Sequence, residues 1–164
     1  MRITVIGSSG SISSDIFQIA KDVGQEIAKR KGLLITGGKD GVMEAASKGA
    51  KEEQGTTIGI LAEDKAIAAN PYVDIAIATG IGYARNYLNI ISSDAVISIA
   101  GSGGTLSEIG FAIALQKKLI LIKGTGGVTD MIIQNRMLFP NADIYLAKTY
   151  KEAVSLAFSE HISH

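Results

Sequence analysis

The sequence predicts an α/β fold, a doubly wound parallel sheet of about seven strands with helices on both faces, formed by one domain over residues 1–164. Three observations predict it. Short apolar runs alternate with segments of helical periodicity along the chain. Those runs are continuously apolar, as strands covered on both faces are. Many end in glycine turns, after Ile6, Thr36, Thr79, Ala100 and Lys123. In such sheets ligands bind beyond the carboxyl ends of the strands, where the strand order switches, and all these turns lie at that edge.

Taken in order, Arg2 to Ile6 forms the first strand and ends at Gly7-Ser8-Ser9-Gly10. Ser13 or Ser14 caps a helix carrying Ile16, Ile19, Ala20, Val23 and Ile27 on one side. Leu33 to Thr36 is the second strand, Gly37-Gly38 its turn and Asp40 the N-cap of a helix that buries Val42, Met43, Ala45, Ala46 and Ala50. Thr57 to Leu61 is a third strand; Asn70-Pro71 breaks the chain before a fourth at Val73 to Ala78. A helix through Tyr83, Tyr87, Leu88 and Ile91 follows Thr79-Gly80-Ile81-Gly82. Beyond the fifth strand lie a sixth at Leu119 to Ile122, a helical run over Val128 to Leu138, a last strand at Asp143 to Leu146 and a closing helix opened by Thr149.

The segment from Ile97 to Leu115 organises the rest. An apolar strand breaks into Gly101, Gly103 and Gly104 and resumes as a mostly buried helix with Leu106, Ile109, Phe111, Ile113 and Leu115 on its apolar side. Glycines leave backbone N–H groups unshielded and the helix start adds partial positive charge, so the turn favours an anion, with phosphate the default guest. Thr105 and Glu108 fall on the first helical turn. They read either as groups beside a bound phosphate or as a capping box of the kind repeated at Thr149 and Glu152. Arg85, near the start of its own helix, opposes the helix dipole and calls for an anion, either a ligand phosphate or Glu108, unless it reaches solvent. Tyr83 and Tyr87 flank it, to stack on a base or to pack.

Composition narrows the function. With 46% hydrophobic residues the chain can bury a proper core. Lys and Arg balance Asp and Glu at 16 each, and no basic stripe appears, so nucleic acid is not the expected partner. The absence of cysteine excludes a disulfide framework and thiolate chemistry. MRITVIGSSG enters a strand directly, without a signal core or an 18-residue apolar span, and the expectation is a cytoplasmic protein away from membranes.

Familiar nucleotide motifs fail. The first turn lacks G-x-G-x-x-G, and the second strand lacks a terminal acid for a ribose hydroxyl. Gly38-Lys39 is followed by Asp40 where a P-loop needs Ser or Thr. Ala100-x-Ser102-x-Gly104 approximates a nucleophile elbow, but the only histidines, His161 and His164, sit at the terminus, so Ser102 reads as a small turn residue. With no cysteine and two terminal histidines, no metal site is expected.

Gly37-Gly38-x-x-Gly41-x-Met43-x-Ala45 followed by Gly49-Ala50, together with Gly101-x-x-Gly104-Thr105-x-x-Glu108, resembles the paired signatures of the Lonely Guy family, long labelled "possible lysine decarboxylase". It also resembles the related molybdenum-cofactor carrier proteins. The resemblance runs from Gly7-Ser8-Ser9 to about Ile122. It implies a Rossmann-like sheet, a homodimer or higher homo-oligomer, and a site near the dimer interface. The family's enzymes cleave the N-glycosidic bond of cytokinin nucleoside 5′-monophosphates to free base and ribose 5-phosphate. By motif, Arg85 and Glu108 match the catalytic arginine and glutamate, and Gly101, Gly103, Gly104 and Thr105 match the phosphate-binding turn. The implied ligand-binding set is completed by Gly7, Ser8, Ser9, Gly37, Gly38 and Ser102.

Two departures, Ala100 where the enzymes have proline and Asn86 where they have lysine, resemble the carrier branch. The expectation is therefore a protein that binds a small phosphorylated ligand, a nucleoside monophosphate or the molybdenum cofactor. The alternative is a phosphoribohydrolase using Glu108 and Arg85 with no cofactor required for catalysis.

Overall fold

The computed structural model describes residues 1–160; His161 and His164 lie outside them. The elements run β1 (Arg2–Gly7), α1 (Ser14–Lys29), β2 (Leu33–Thr36), α2 (Val42–Glu52), β3 (Thr57–Leu61), β4 (Ile75–Ala78), α3 (Arg85–Ile91), β5 (Ala95–Ile99), α4 (Gly103–Ala114), β6 (Lys118–Ile122), α5 (Gly127–Gln134), β7 (Ile144–Ala147) and α6 (Tyr150–Phe158). The seven strands form one sheet in the order β4-β3-β2-β1-β5-β6-β7, every neighbouring pair parallel. This is the doubly wound α/β sheet that the sequence predicts.

The order reverses at β1, which pairs with β2 on one side and β5 on the other, Gly7 lying opposite Ile99 at the carboxyl end. Helices on both faces follow from side chains that alternate across each strand. Ile3 and Val5 of β1, with Ile97 and Ile99 of β5, pack under α1, α2 and α6. Ile6, Val96, Leu119 and Leu121 pack under α3, α4 and α5. Helices α1 and α2 meet at two glycines: a Cβ on Gly24 would stand 1.9 Å from the Ala46 carbonyl oxygen, and one on Gly49 1.9 Å from that of Lys21. No helix among the described residues is long and apolar enough to cross a membrane.

Several boundaries depart from the sequence reading, each for a local reason. The fourth strand begins at Ile75 because Asp74 turns back to Thr57, its carboxylate accepting from the Thr57 N–H at 2.9 Å. The helical run expected to reach Leu138 ends at Gln134 and continues as a 3₁₀ turn over Arg136–Leu138. The last strand occupies Ile144–Ala147. Ser13 caps α1 through its hydroxyl, 3.3 Å from the Ile16 N–H. Asp40 is not the cap of α2: Gly41, at φ 65, takes that place, and the Asp40 carboxylate accepts from the Gly10 N–H at 2.8 Å. Leu106, expected on the buried side of α4, is 42% exposed.

Candidate functional site

At the switch point the chain opens a cavity of about 360 Å³ between the ends of β1 and β5 and the helices that follow. The turn after β5 sets its floor. Ala100 takes φ 54, a left-handed conformation that costs a non-glycine residue about 1–2 kcal/mol. It is held there by its N–H donating to Thr125 Oγ1 at 2.9 Å and by its carbonyl accepting from Thr129 Oγ1 at 2.7 Å. Gly101 follows at φ 99, its N–H donating to Ser8 Oγ at 2.9 Å. That amide is therefore already engaged by β1's own turn.

Helix α4 starts differently from the Thr105-Glu108 capping box that the sequence also allowed. Its N-cap is Ser102, whose side chain makes no cap bond, and the first helical bond runs from the Leu106 N–H to the Ser102 carbonyl at 2.9 Å. The N–H groups of Gly103, Gly104 and Thr105 thus have no partner among the described residues. Thr105 sits inside the helix and Glu108 one turn further along, too deep for either to cap. In contrast, Thr149 does cap α6, accepting from the Glu152 N–H at 3.2 Å.

The glycines here are not demanded by protein atoms. A Cβ on Gly103 would meet nothing within 4 Å and one on Gly104 only the edge of the Tyr83 ring at 3.7 Å. Glycine in a helix costs about 1 kcal/mol relative to alanine, so open space in front of the two amides is the feature gained. The neighbouring turn after β6 is built the other way. There the Asp130 carboxylate accepts from the Gly124 N–H at 3.0 Å and the Gly126 N–H at 2.8 Å, and the Val128 and Thr129 N–H groups of α5 donate to the Gly101 and Ala100 carbonyls at 3.0 Å each.

Three charged side chains are buried among the described residues, namely Lys118, Arg85 and Glu108. Lys118 donates to the Ser159 carbonyl at 2.8 Å and hydroxyl at 2.7 Å. Arg85 and Glu108 face each other in the cavity, Nη1 to Oε1 at 3.7 Å, an ion pair too long for a hydrogen bond. Arg85 is only 6% exposed, and its guanidinium donates to no described residue; Nε is buried without a partner. It lies against the end of β2, where a Cβ on Gly37 would stand 2.2 Å from Nη1. The missing side chain at 37 makes the seat for the cation.

Glu108 is held by Asn89, which donates from Nδ2 to Oε1 at 2.8 Å. Burial pushes the Glu108 carboxyl up to about 7, against the lowering exerted by the Asn89 hydrogen bond and the Arg85 charge. Burial also pulls Arg85 below its usual value, opposed first by Glu108 and then by Glu63. At the outer end Lys39 pairs with Glu63 at 2.7 Å and holds the Glu63 carboxyl below its usual range.

Of the site residues expected from sequence, Arg85, Glu108, Ser102, Gly104 and Thr105 line the cavity together, and Gly7 and Ser9 join them from β1. Ser8, Gly37, Gly38, Gly101 and Gly103 stand behind or beside this lining. Ser8 orients the Gly101 amide, Gly37 seats Arg85, and Gly38, at φ 72, donates its N–H to Thr36 Oγ1 at 3.0 Å. Sequence reasoning missed Asn89 and Glu63. Asn89 stands four residues after Arg85 on one helix face, and Glu63 follows the carboxyl end of β3, so both positions carried a signal.

A sequence model of the SLOG cluster4 family matches residues 1–154. The chain belongs to the SLOG cluster4 family. This SLOG cluster4 chain is 38% identical over 162 residues to an uncharacterized protein of Archaeoglobus fulgidus, covering 99% of this chain and 97% of that one. Among solved structures it is similar to the molybdenum cofactor binding protein of the phototrophic bacterium Rippkaea orientalis, at 37% identity and a TM-score of 0.84, over 94% of this chain and 93% of the other. It is also similar to the molybdenum cofactor carrier protein of Chlamydomonas reinhardtii, at 30% identity and a TM-score of 0.80, over 94% of each chain.

Proposed function

We propose that this SLOG cluster4 protein binds a small phosphorylated ligand, with the phosphate between Arg85 and the N–H groups of Gly103, Gly104 and Thr105. The observation that carries the reading is the Arg85 guanidinium, 6% exposed and without a hydrogen bond among the described residues, beside those open amides. A buried cation left so is costly, and a bound anion relieves it while accepting from the helix start. A cavity of about 360 Å³ falls within the range of small-molecule sites. Relatives named for the molybdenum cofactor make that pterin phosphate the first ligand to test and nucleoside 5′-monophosphates the second.

The test is titration calorimetry of the purified protein against the molybdenum cofactor and a panel of nucleoside 5′-monophosphates, with Gly104→Val as the control that blocks backbone approach. Binding that Gly104→Val abolishes supports the reading; binding that it leaves unchanged removes the phosphate from this turn.

One observation favours a second reading, a Lonely Guy-type phosphoribohydrolase. Glu108 is a buried carboxyl with its ionisation moved up to about 7, the placement of a group that exchanges charge near neutral pH. A carboxylate there would stabilise an oxocarbenium-like ribose or activate water against it, while Arg85 fixes the substrate. Chromatography for free base after incubation with N6-substituted adenosine monophosphates separates the readings. Base release that Glu108→Gln stops makes the protein a hydrolase, and ligand binding without release makes it a carrier.

The same reading includes a homo-oligomer built on the outer face of α3 and α4. Tyr87, Ile91 and Leu106 are exposed there, and every exposed residue of both helices is uncharged. Gly110 lies mid-helix with open space where its side chain would be. Sedimentation equilibrium of the wild type and of Gly110→Gln tests this, a monomer in both being the contrary result.

A further inference from the structure

The two tyrosines beside Arg85 have separated roles. Tyr87 packs edge-on against Phe111, ring centroids 5.5 Å apart at 82°, and takes no part in the cavity lining. Tyr83 does line the cavity, yet is 83% exposed. A lone exposed aromatic needs no explanation in general. This one lines the cavity, its ring edge 3.7 Å from where a side chain on Gly104 would begin, beside the first turn of α4. Its backbone is also anchored. Residues Gly82–Ala84 form a 3₁₀ turn, the Gly80 N–H donates to the Glu63 carbonyl at 3.0 Å, and the Gly82 N–H donates to the Ala62 carbonyl at 3.0 Å. Gly80 and Gly82 take φ 66 and φ 59, which an ordinary side chain would strain, so the path that brings residue 83 to the cavity is specified by sequence.

The cavity lining combines charged and apolar groups. Arg85, Glu108, Lys39 and Glu63 are its charged members, and Met43, Ala62 and the Tyr83 ring, which stands beside Gly104, supply apolar surface. We propose that Tyr83 is the platform on which a planar heterocycle of the ligand stacks, so that the site takes aromatic heterocycle monophosphates in preference to sugar phosphates. This rests on the phosphate-binding reading above and extends it to the other end of the ligand. Stacking on a tyrosine face tolerates many ring systems, because every heterocycle has a π-face, and it needs no further hydrogen bond from the protein.

The test uses the full chain and three probes: adenosine 5′-monophosphate, a pterin monophosphate and ribose 5-phosphate. Calorimetric affinities are measured for the wild type, Tyr83→Phe and Tyr83→Ala, with size-exclusion profiles for each. The expected result is that Tyr83→Ala weakens the two heterocyclic ligands by about 10- to 100-fold, as loss of one stacking partner does, and shifts ribose 5-phosphate by less than about 2-fold. Tyr83→Phe keeps wild-type affinities. The proposal is overturned if Tyr83→Ala weakens all three probes equally, leaves all three unchanged, or loses affinity only together with a change in oligomeric state. A wild type that binds ribose 5-phosphate as tightly as the heterocycles overturns it too and leaves the phosphate site standing. A wild type that binds none of the probes removes the phosphate site itself and the platform with it.

Discussion

Replacing Glu108 by glutamine should stabilise the protein, and by an amount that depends on pH. The folded carboxyl titrates at about 7 and its unfolded counterpart at 4.5, so the native state holds this proton more tightly than the unfolded chain. The sign follows directly: the contribution is fully present below about pH 4.5 and is lost as pH rises through about 7. A difference of about 2.5 pK units corresponds to roughly 3 kcal/mol between about pH 4 and pH 8.5. Glutamine matches the shape of the protonated acid, can still accept from Asn89, and never ionises. The stability of Glu108→Gln relative to wild type should therefore grow by about 3 kcal/mol over that range, or roughly 6–12 °C in Tm for a chain of this size. Urea or thermal unfolding of both proteins at the two pH values measures it, and other titrating groups cancel in the difference. A stability gap that stays constant with pH would refute the argument. A gap that narrows as pH rises would mean that Arg85 at 3.7 Å outweighs burial and holds the carboxylate charged.

Other substitutions separate seat from scaffold. Gly37→Ala places a methyl 2.2 Å from Arg85 Nη1, the far end of a flexible side chain. The guanidinium should move at a cost to stability below about 1 kcal/mol, while affinity for a phosphorylated ligand falls about 10- to 100-fold with the lost charged hydrogen bonds. Calorimetry and a melting curve on the same sample check both halves. Gly49→Ala does the opposite: its Cβ would meet the Lys21 carbonyl oxygen at 1.9 Å, backbone that cannot step aside without parting α1 from α2. A loss of about 3 kcal/mol is expected in chemical denaturation, and wild-type stability would show that the helices do not pack as described.

The fold was legible because its signals are local and repeated. Each strand from β1 to β7 is an apolar run ending in a turn or a cap, and parallel pairing follows from the crossover connections between them, α-helical everywhere but between β3 and β4. The site was legible in part. Glycine clusters marked the edge, and Arg85 stood out as a cation against a helix dipole. What sequence could not settle was which of two local rules wins when both fit the same residues. Thr105 and Glu108 have capping-box spacing, but the glycines before them let the helix start at Gly103, which carries both residues past the cap and turns Glu108 inward to Asn89. Gly37 reads in sequence as a ligand-binding glycine, and in the fold it seats Arg85, a contact between segments 48 residues apart that no local pattern encodes. Asp40 was read as a cap because it precedes a helix, whereas its carboxylate is taken by Gly10 from β1's turn.

The edge of the sheet carries one turn filled from within and one left open. The Asp130 carboxylate bridges the amides of Gly124 and Gly126 in the free protein, whereas those of Gly103, Gly104 and Thr105 have no such partner. Amide hydrogen exchange should read the two side by side in a single spectrum, slow at 124 and 126 and fast at 103 to 105. The chain thus contains its own reference for what an occupied turn looks like, against which any added ligand can be scored without a second protein. The start of α5 is closed by the Asp130 carboxylate together with the carbonyls of Ala100 and Gly101, whereas the first three amides of α4 meet neither kind of acceptor among the described residues.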